Sequence, residues 1–195
     1  HPDAVTARGD ASANTLTVSN PSIIGRNNDV VMSKIVSIAN ANPDANGTAV
    51  PVGIADIGQF KFSAASHNNT ASGLNDVVID TLIFHVTASN IVMEADDFRL
   101  FNKSDSTIMS TCSTLTNGGQ VVSGGVSTSF FVQCTNLSSI LDTAIAQGSS
   151  STLVLRGNVD DAKVNSTQTS VLQVSLQNFS DRSRSSIGVH QSHLQ

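Results

Sequence analysis

The sequence predicts an all-β protein: an antiparallel β-sandwich of jelly-roll or immunoglobulin-like type, with one short helix and an N-terminal arm. Three observations predict it. Apolar and polar residues alternate with a period of two along several short runs. Turn-forming clusters separate those runs: Asn27-Asn28-Asp29, Asn42-Pro43-Asp44, Asn68-Asn69, Lys103-Ser104-Asp105, Asn117-Gly118-Gly119 and Asn158 to Asp161. The composition is that of many extracellular β-proteins: 39% hydrophobic, 13% charged, rich in Ser, Thr and Asn, and without Trp or Tyr.

Taken in order, residues 1–20 form the arm. Residues 1–14 are polar and Ala-rich without periodicity, and Leu16 and Val18 then mark a short strand in Thr15, Leu16, Thr17 and Val18. Residues 21–182 form the sandwich domain. Residues 30–39 read as a strand, and residues 59–64 put Phe60, Phe62 and Ala64 on one face. Residues 80–88 put Leu82, Phe84, Val86 and Ala88 inward, with His85 and Thr87 opposite. Residues 126–134 put Val126, Phe130, Val132 and Cys134 inward as one strand. Leu153, Leu155 and Val159 continue the pattern around Gly157, and residues 170–178 turn Leu172, Val174 and Leu176 inward, with Asn178 in the same register. One stretch breaks the period. Leu137, Ile140, Leu141, Ala144 and Ile145 recur at helical spacing, and Gly148 follows as a stop, which predicts a short helix across one end. Residues 183–195 are a polar tail.

The length of 195 residues suits one large β-domain, or one domain plus an arm. A formal net charge of −5 argues against nucleic acid, whose recognition needs Lys/Arg patches to replace phosphate counterions. Low charge with adequate hydrophobicity argues against a disordered chain. No run of apolar residues is long enough to span a membrane as a helix. The chain begins at His1 rather than Met, which fits removal of a leader or a piece of a longer product. Cys112 and Cys134 are the only cysteines. Each lies in a β-like run on either side of a Gly-rich turn, so neighbouring strands would bring them within bridging range.

Six Asn-x-Ser/Thr sequons are present, at Asn46, Asn68, Asn102, Asn136, Asn165 and Asn178. With 17 Asn and 46 Ser plus Thr, chance alone yields about four, so the excess is mild. Asn46, Asn68, Asn102 and Asn165 fall in turn-like stretches and Asn136 precedes the expected helix. Asn178 lies on an inward register, which makes it the poorest acceptor. N-linked glycans are the expected modification, and they place the chain outside the cell or on its surface.

No cofactor is expected and no catalytic signature occurs. A Gly-x-Ser-x-Gly elbow and a phosphate-cradling loop are both missing from the sequence. Paired carboxylates could serve a glycosidase, but sugar clefts rely on aromatic platforms, and this chain lacks Trp and Tyr. The acidic pairs Asp96-Asp97 and Asp160-Asp161 offer hard oxygen ligands for calcium, but without an Asp-x-Asp-x-Asp-Gly loop they read as solvated turns. His190 and His193 share a polar tail, while His67 and His85 lie in unrelated contexts, so no metal site is expected. Arg8-Gly9-Asp10 spells an integrin-adhesion tripeptide, a match short enough to recur by chance.

Three segments carry a resemblance: Ile-Gly-Gln-Phe-Lys-Phe-Ser-Ala at residues 57–64, Val-Val-Ile-Asp-Thr-Leu-Ile-Phe-His-Val within residues 77–88, and Phe-Arg-Leu-Phe-Asn at residues 98–102. Over roughly residues 50–180 the chain resembles β-sandwich domains of bacterial and archaeal cell-surface proteins. More loosely, it resembles subunits of donor-strand fibres such as TasA-type biofilm fibres and bundling pili. In such fibres an N-terminal strand of one subunit completes the sheet of the next, and Leu16 and Val18 are the matching positions here. The resemblance implies a structural subunit of a glycosylated filament or surface layer whose partners are further copies of itself. The alternative is an adhesin or binding module of a larger secreted surface protein. A hydrolase is the third reading and has no site to support it.

Overall fold

A computed structural model describes residues 5–8, 15–18, 34–42, 49–66, 76–126, 128–141, 143–162, 165–183 and 189–193. Its strands are β1 (Val5–Arg8), β2 (Thr15–Val18), β3 (Ile35–Asn40), β4 (Gly53–Ala64), β5 (Val77–Ser89) and β6 (Ile91–Glu94). There follow a 3₁₀ turn (Ala95–Asp97), β7 (Arg99–Asn102), β8 (Asp105–Thr111), β9 (Ser113–Leu115), β10 (Val121–Val122), β11 (Gly125–Val126) and β12 (Phe130–Cys134). The chain continues with α1 (Leu137–Ile140), β13 (Ala144–Ile145), β14 (Ser150–Ala162), β15 (Val171–Ser183) and β16 (Val189–His193).

All pairings are antiparallel, and the protein is all-β. One seven-stranded sheet runs β10-β9-β12-β5-β15-β16, with β13 also on β5. The other runs β11-β6-β14-β4-β3, with β7 also on β14 and β8 on β7. β1 and β2 form a separate two-stranded sheet.

One hydrophobic cluster draws on both large sheets. Phe60, Phe62, Met93, Leu100, Leu153 and Leu155 come from one, and Leu82, Phe84, Val86, Phe130, Val132 and Phe179 from the other. Three aromatic pairs cross between them: Phe60 with Phe84 (centroids 5.3 Å apart), Phe62 with Phe179 (6.3 Å), and Phe98, just before β7, with Phe130 (5.5 Å). The alternation read from residues 59–64 and 80–88 is the burial pattern of β4 and β5.

Several expectations are corrected. The run 126–134 is not one strand: Gly125–Val126 pairs with β6 in one sheet and Phe130–Cys134 with β5 in the other. The helical spacing at 137–145 gives only a four-residue helix. Leu141 is already extended (φ −108°, ψ 151°), and Ala144–Ile145 pair with Val78 and Val77 of β5. Two hydrogen bonds to β5 hold this segment: the Ser138 hydroxyl donates to Asp80 Oδ1 (2.6 Å) and the Thr143 hydroxyl to the Ile79 carbonyl (2.7 Å). Pairing with the end of β5 that β12 leaves uncovered therefore outweighs the apolar spacing. Asn158 to Asp161 do not turn. They lie inside β14, which pairs with β7 up to Arg156 and with β6 from Val159, with a register shift between Val159 and Asp161 within the β6 pairing. In β15 a register shift between Leu176 and Asn178 inserts one residue. Phe179 then faces the core opposite Leu82, and Asn178 pairs with Ile83 instead of continuing the inward row. The N-terminal stretch expected to lack periodicity contains β1, and the C-terminal polar stretch contains β16, paired to β15.

Candidate functional site

The two cysteines are brought together. Cys112 lies between β8 and β9, where the chain leaves one sheet for the other, and its N–H donates to the Phe98 carbonyl (3.0 Å). β9 pairs with β12, which ends at Cys134, and the sulfurs are joined with Cα atoms 4.3 Å apart. Both residues are buried, so the bridge pins the crossover into the core.

Of the sequons, Asn46 and Asn68 lie outside the described residues. Asn165 and Asn102 share one geometry. Asn165 Oδ1 accepts the Thr167 N–H (3.0 Å) and the Thr167 hydroxyl (2.7 Å), and Asn102 Oδ1 accepts the Ser104 N–H (3.1 Å) and hydroxyl (2.9 Å). In each, the sequon's own hydroxyl is bonded to the acceptor carboxamide in an Asx turn. Asn136 differs. It is exposed, in the left-handed region (φ 55°), and its sequon hydroxyl on Ser138 is held by Asp80. Asn178 is half-buried within β15, its Oδ1 accepting the Phe179 N–H (2.8 Å).

Asp105 repeats the Asx turn directly after the Asn102 sequon. The Thr107 hydroxyl (2.6 Å) and then the Thr107 N–H (3.0 Å) donate to its carboxylate and hold it below its ordinary value of 3.8.

The acidic pairs do not converge. Asp96 Oδ2 accepts the Gly124 N–H (3.2 Å), Asp97 Oδ2 accepts from Asn158 Nδ2 (2.9 Å), and Asp160 and Asp161 are exposed on β14. Among the described residues no group of three or more His, Cys, Asp or Glu is placed to hold a metal ion. His85 contacts Phe131 on the outward face of its sheet (centroids 5.0 Å), and His190 and His193 fall in β16. His67, Gly9 and Asp10 lie outside the described residues.

Thr15–Val18, the expected assembly strand, forms β2 and pairs with β1, Leu16 opposite Ala7 and Val18 opposite Val5. It belongs to neither large sheet. Both large sheets end in short strands that, among the described residues, leave backbone unpaired: β3 covers only part of β4, and β16 only part of β15. A recess of about 460 Å³ opens beside the β9–β10 hairpin, with Val122, Val126 and Phe130 among its apolar lining and Thr116, Asn117 and Thr128 among its polar lining.

Sequence reasoning missed Asn90. Its backbone is left-handed (φ 56°) and its side chain clamps the loop that carries the Asn165 sequon. The signal was one Asn between two strand-like runs; its partners are remote in sequence.

No known protein family, curated protein or solved structure matches the chain. Among the described residues no helix is long and apolar enough to cross a membrane.

Proposed function

We propose that this chain is a structural subunit of an extracellular, glycosylated filament or surface layer, assembled head to tail by β-strand complementation, its two sheets forming a jelly-roll or immunoglobulin-like sandwich. One observation carries the reading: a strand with alternating apolar residues, β2, stands outside both large sheets, while those sheets present unpaired edges. Unpaired backbone donors and acceptors at an edge are satisfied by an added strand, and a contact between different surfaces of identical copies propagates without closing. The three aromatic pairs between the sheets support the sandwich. The sequon turns support a sugar-bearing surface.

A binding module of a larger surface protein is the second reading. It rests on the recess beside Phe130, which is large enough for a small ligand.

Electron microscopy separates them. The full chain should form filaments, and Leu16→Lys with Val18→Lys should give isolated particles with an unchanged β-sheet spectrum. Filaments from the double variant would overturn the assembly reading.

A further inference from the structure

Two stretches of unpaired strand edge meet on the same side of the molecule. In β4, residues 53–58 pair, among the described residues, with β14 along one edge only. β3 covers the other edge from Phe60 to Ala64, and the Ala41 N–H closes onto the Gln59 carbonyl (2.8 Å). In β15, residues 171–177 pair, among the described residues, with β5 along one edge only, because the pairing with β16 starts at Asn178. The stretches touch between the sheets: a β-carbon added to Gly58 would stand 3.3 Å from Val174 Cγ1. The apolar side chains along them, Ile57, Leu172, Val174 and Leu176, pack against the core yet are only half-buried. Leu82, Phe84 and Val86 of the neighbouring β5 are fully buried. The core is incompletely covered along this seam.

The two edges differ in chemistry. The outward residues of the β15 stretch are the polar, exposed Gln173, Ser175 and Gln177, with Val171, 44% exposed, at its start. On the β4 side Val52, just before the stretch, and Ile54, within it, are 69% and 72% exposed, apolar surface that an added strand would cover, next to Asp56, which is exposed and paired with Arg156 (2.7 Å). β2 has the complementary form. One of its edges is taken by β1, and among the described residues nothing pairs with the other. Its sequence, Thr-Leu-Thr-Val, alternates polar and apolar residues. Among the described residues β2 pairs with β1 alone, and no strand pairs with the free edges along the seam.

We propose that residues 53–58 of β4 are the acceptor edge for β2 of a second copy, with Leu16 and Val18 turned toward Ile57 and Leu172. This rests on the filament reading and adds the location of the contact. The hairpin can dock as a unit, because β2 offers its free edge without giving up β1.

Cross-linking of full-length protein tests it. Leu16→Cys is mixed with Ala55→Cys or Ile57→Cys, each purified separately, under mild oxidation that leaves the buried Cys112–Cys134 bridge intact. A species of about twice 20.3 kDa should appear in at least one mixture, about tenfold above any single variant alone. Ile54→Asp should raise the protein concentration needed for filament growth by about tenfold or more, with an unchanged β-sheet spectrum. Filaments that form normally without cross-linking at position 55 or 57, or with cross-linking only to Leu172→Cys or Leu176→Cys, would overturn the acceptor assignment and leave strand complementation standing. Absence of any assembly by the unmodified chain would overturn both.

Discussion

Asn90 and Asn165 exchange two hydrogen bonds, although 75 residues separate them. The Asn165 N–H donates to Asn90 Oδ1 (2.6 Å), and Asn90 Nδ2 donates to the Asn165 carbonyl (2.9 Å) and to the Gln168 carbonyl (3.0 Å). The side chain at the tight turn between β5 and β6 acts as a short strand for the loop between β14 and β15. Asn90→Asp removes the donor and sets a carboxylate against two carbonyls. It should lower stability by about 1–3 kcal/mol in urea titration, more than Asn90→Ala at the same site. No loss of stability in either variant would show that the hydrogen bonds have no part in holding the loop.

Gly157 packs against Phe98 with no room for a side chain. A β-carbon on Gly157 would come 2.9 Å from Phe98 Cε1, 3.1 Å from Ile57 Cδ1 and 3.2 Å from Met93 Cε. These neighbours are themselves packed, so Gly157→Ala should destabilise by about 1–3 kcal/mol through overpacking. The pairing of Phe98 with Phe130 should loosen with it. Thermal unfolding of the variant beside Phe98→Leu with Gly157→Ala is the check: the smaller side chain should recover part of the loss.

The inward rows of β4 and β5 were legible because each strand keeps a period of two against a single core. Phe60, Phe62, Leu82, Phe84 and Val86 needed no knowledge of their partners. Register shifts were not legible. Asn178 and Phe179 differ from a plain alternation only because Gln177 is inserted opposite β5, a fact of pairing rather than of local pattern. The segment 137–145 misled for a related reason. Leu137, Leu141 and Ile145 are buried at a spacing of four, but two side-chain bonds and an uncovered end of β5 select an extended path. The disulfide was legible from spacing and turn composition, whereas its place at the crossover between sheets was not. The seam along β4 and β15 depends on where β3 and β16 stop, which no local pattern encodes.

The Cys112–Cys134 bridge closes a sequence separation of 22, for which chain entropy gives roughly 3 kcal/mol. Cys112→Ala with Cys134→Ala should therefore lower the unfolding midpoint by roughly 6–12 °C for a domain of this size. The native protein should show no alkylatable thiol before reduction. Two reactive thiols in protein taken from its natural source would count against the bridge and against an oxidising compartment.

Sugar should be found first at Asn165 and then at Asn102. Glycan transfer uses the Asn carboxamide nitrogen and requires the hydroxyl two residues on. At both sites that hydroxyl already donates to the acceptor's Oδ1, at 2.7 and 2.9 Å, so the local conformation needs no rearrangement. Asn165 is exposed and Asn102 half-buried, which sets their order. At Asn136 the Ser138 hydroxyl is committed to Asp80, and at Asn178 the acceptor lies within β15 between β5 and β16, so both should carry little. Intact mass before and after deglycosylation, repeated on Asn165→Gln and Asn102→Gln, reads this directly. Each variant should lose one glycan mass, while Asn136→Gln and Asn178→Gln should leave the mass pattern unchanged. A native mass equal to that of the bare 20.3 kDa polypeptide would refute the glycan prediction and remove its support for an extracellular subunit.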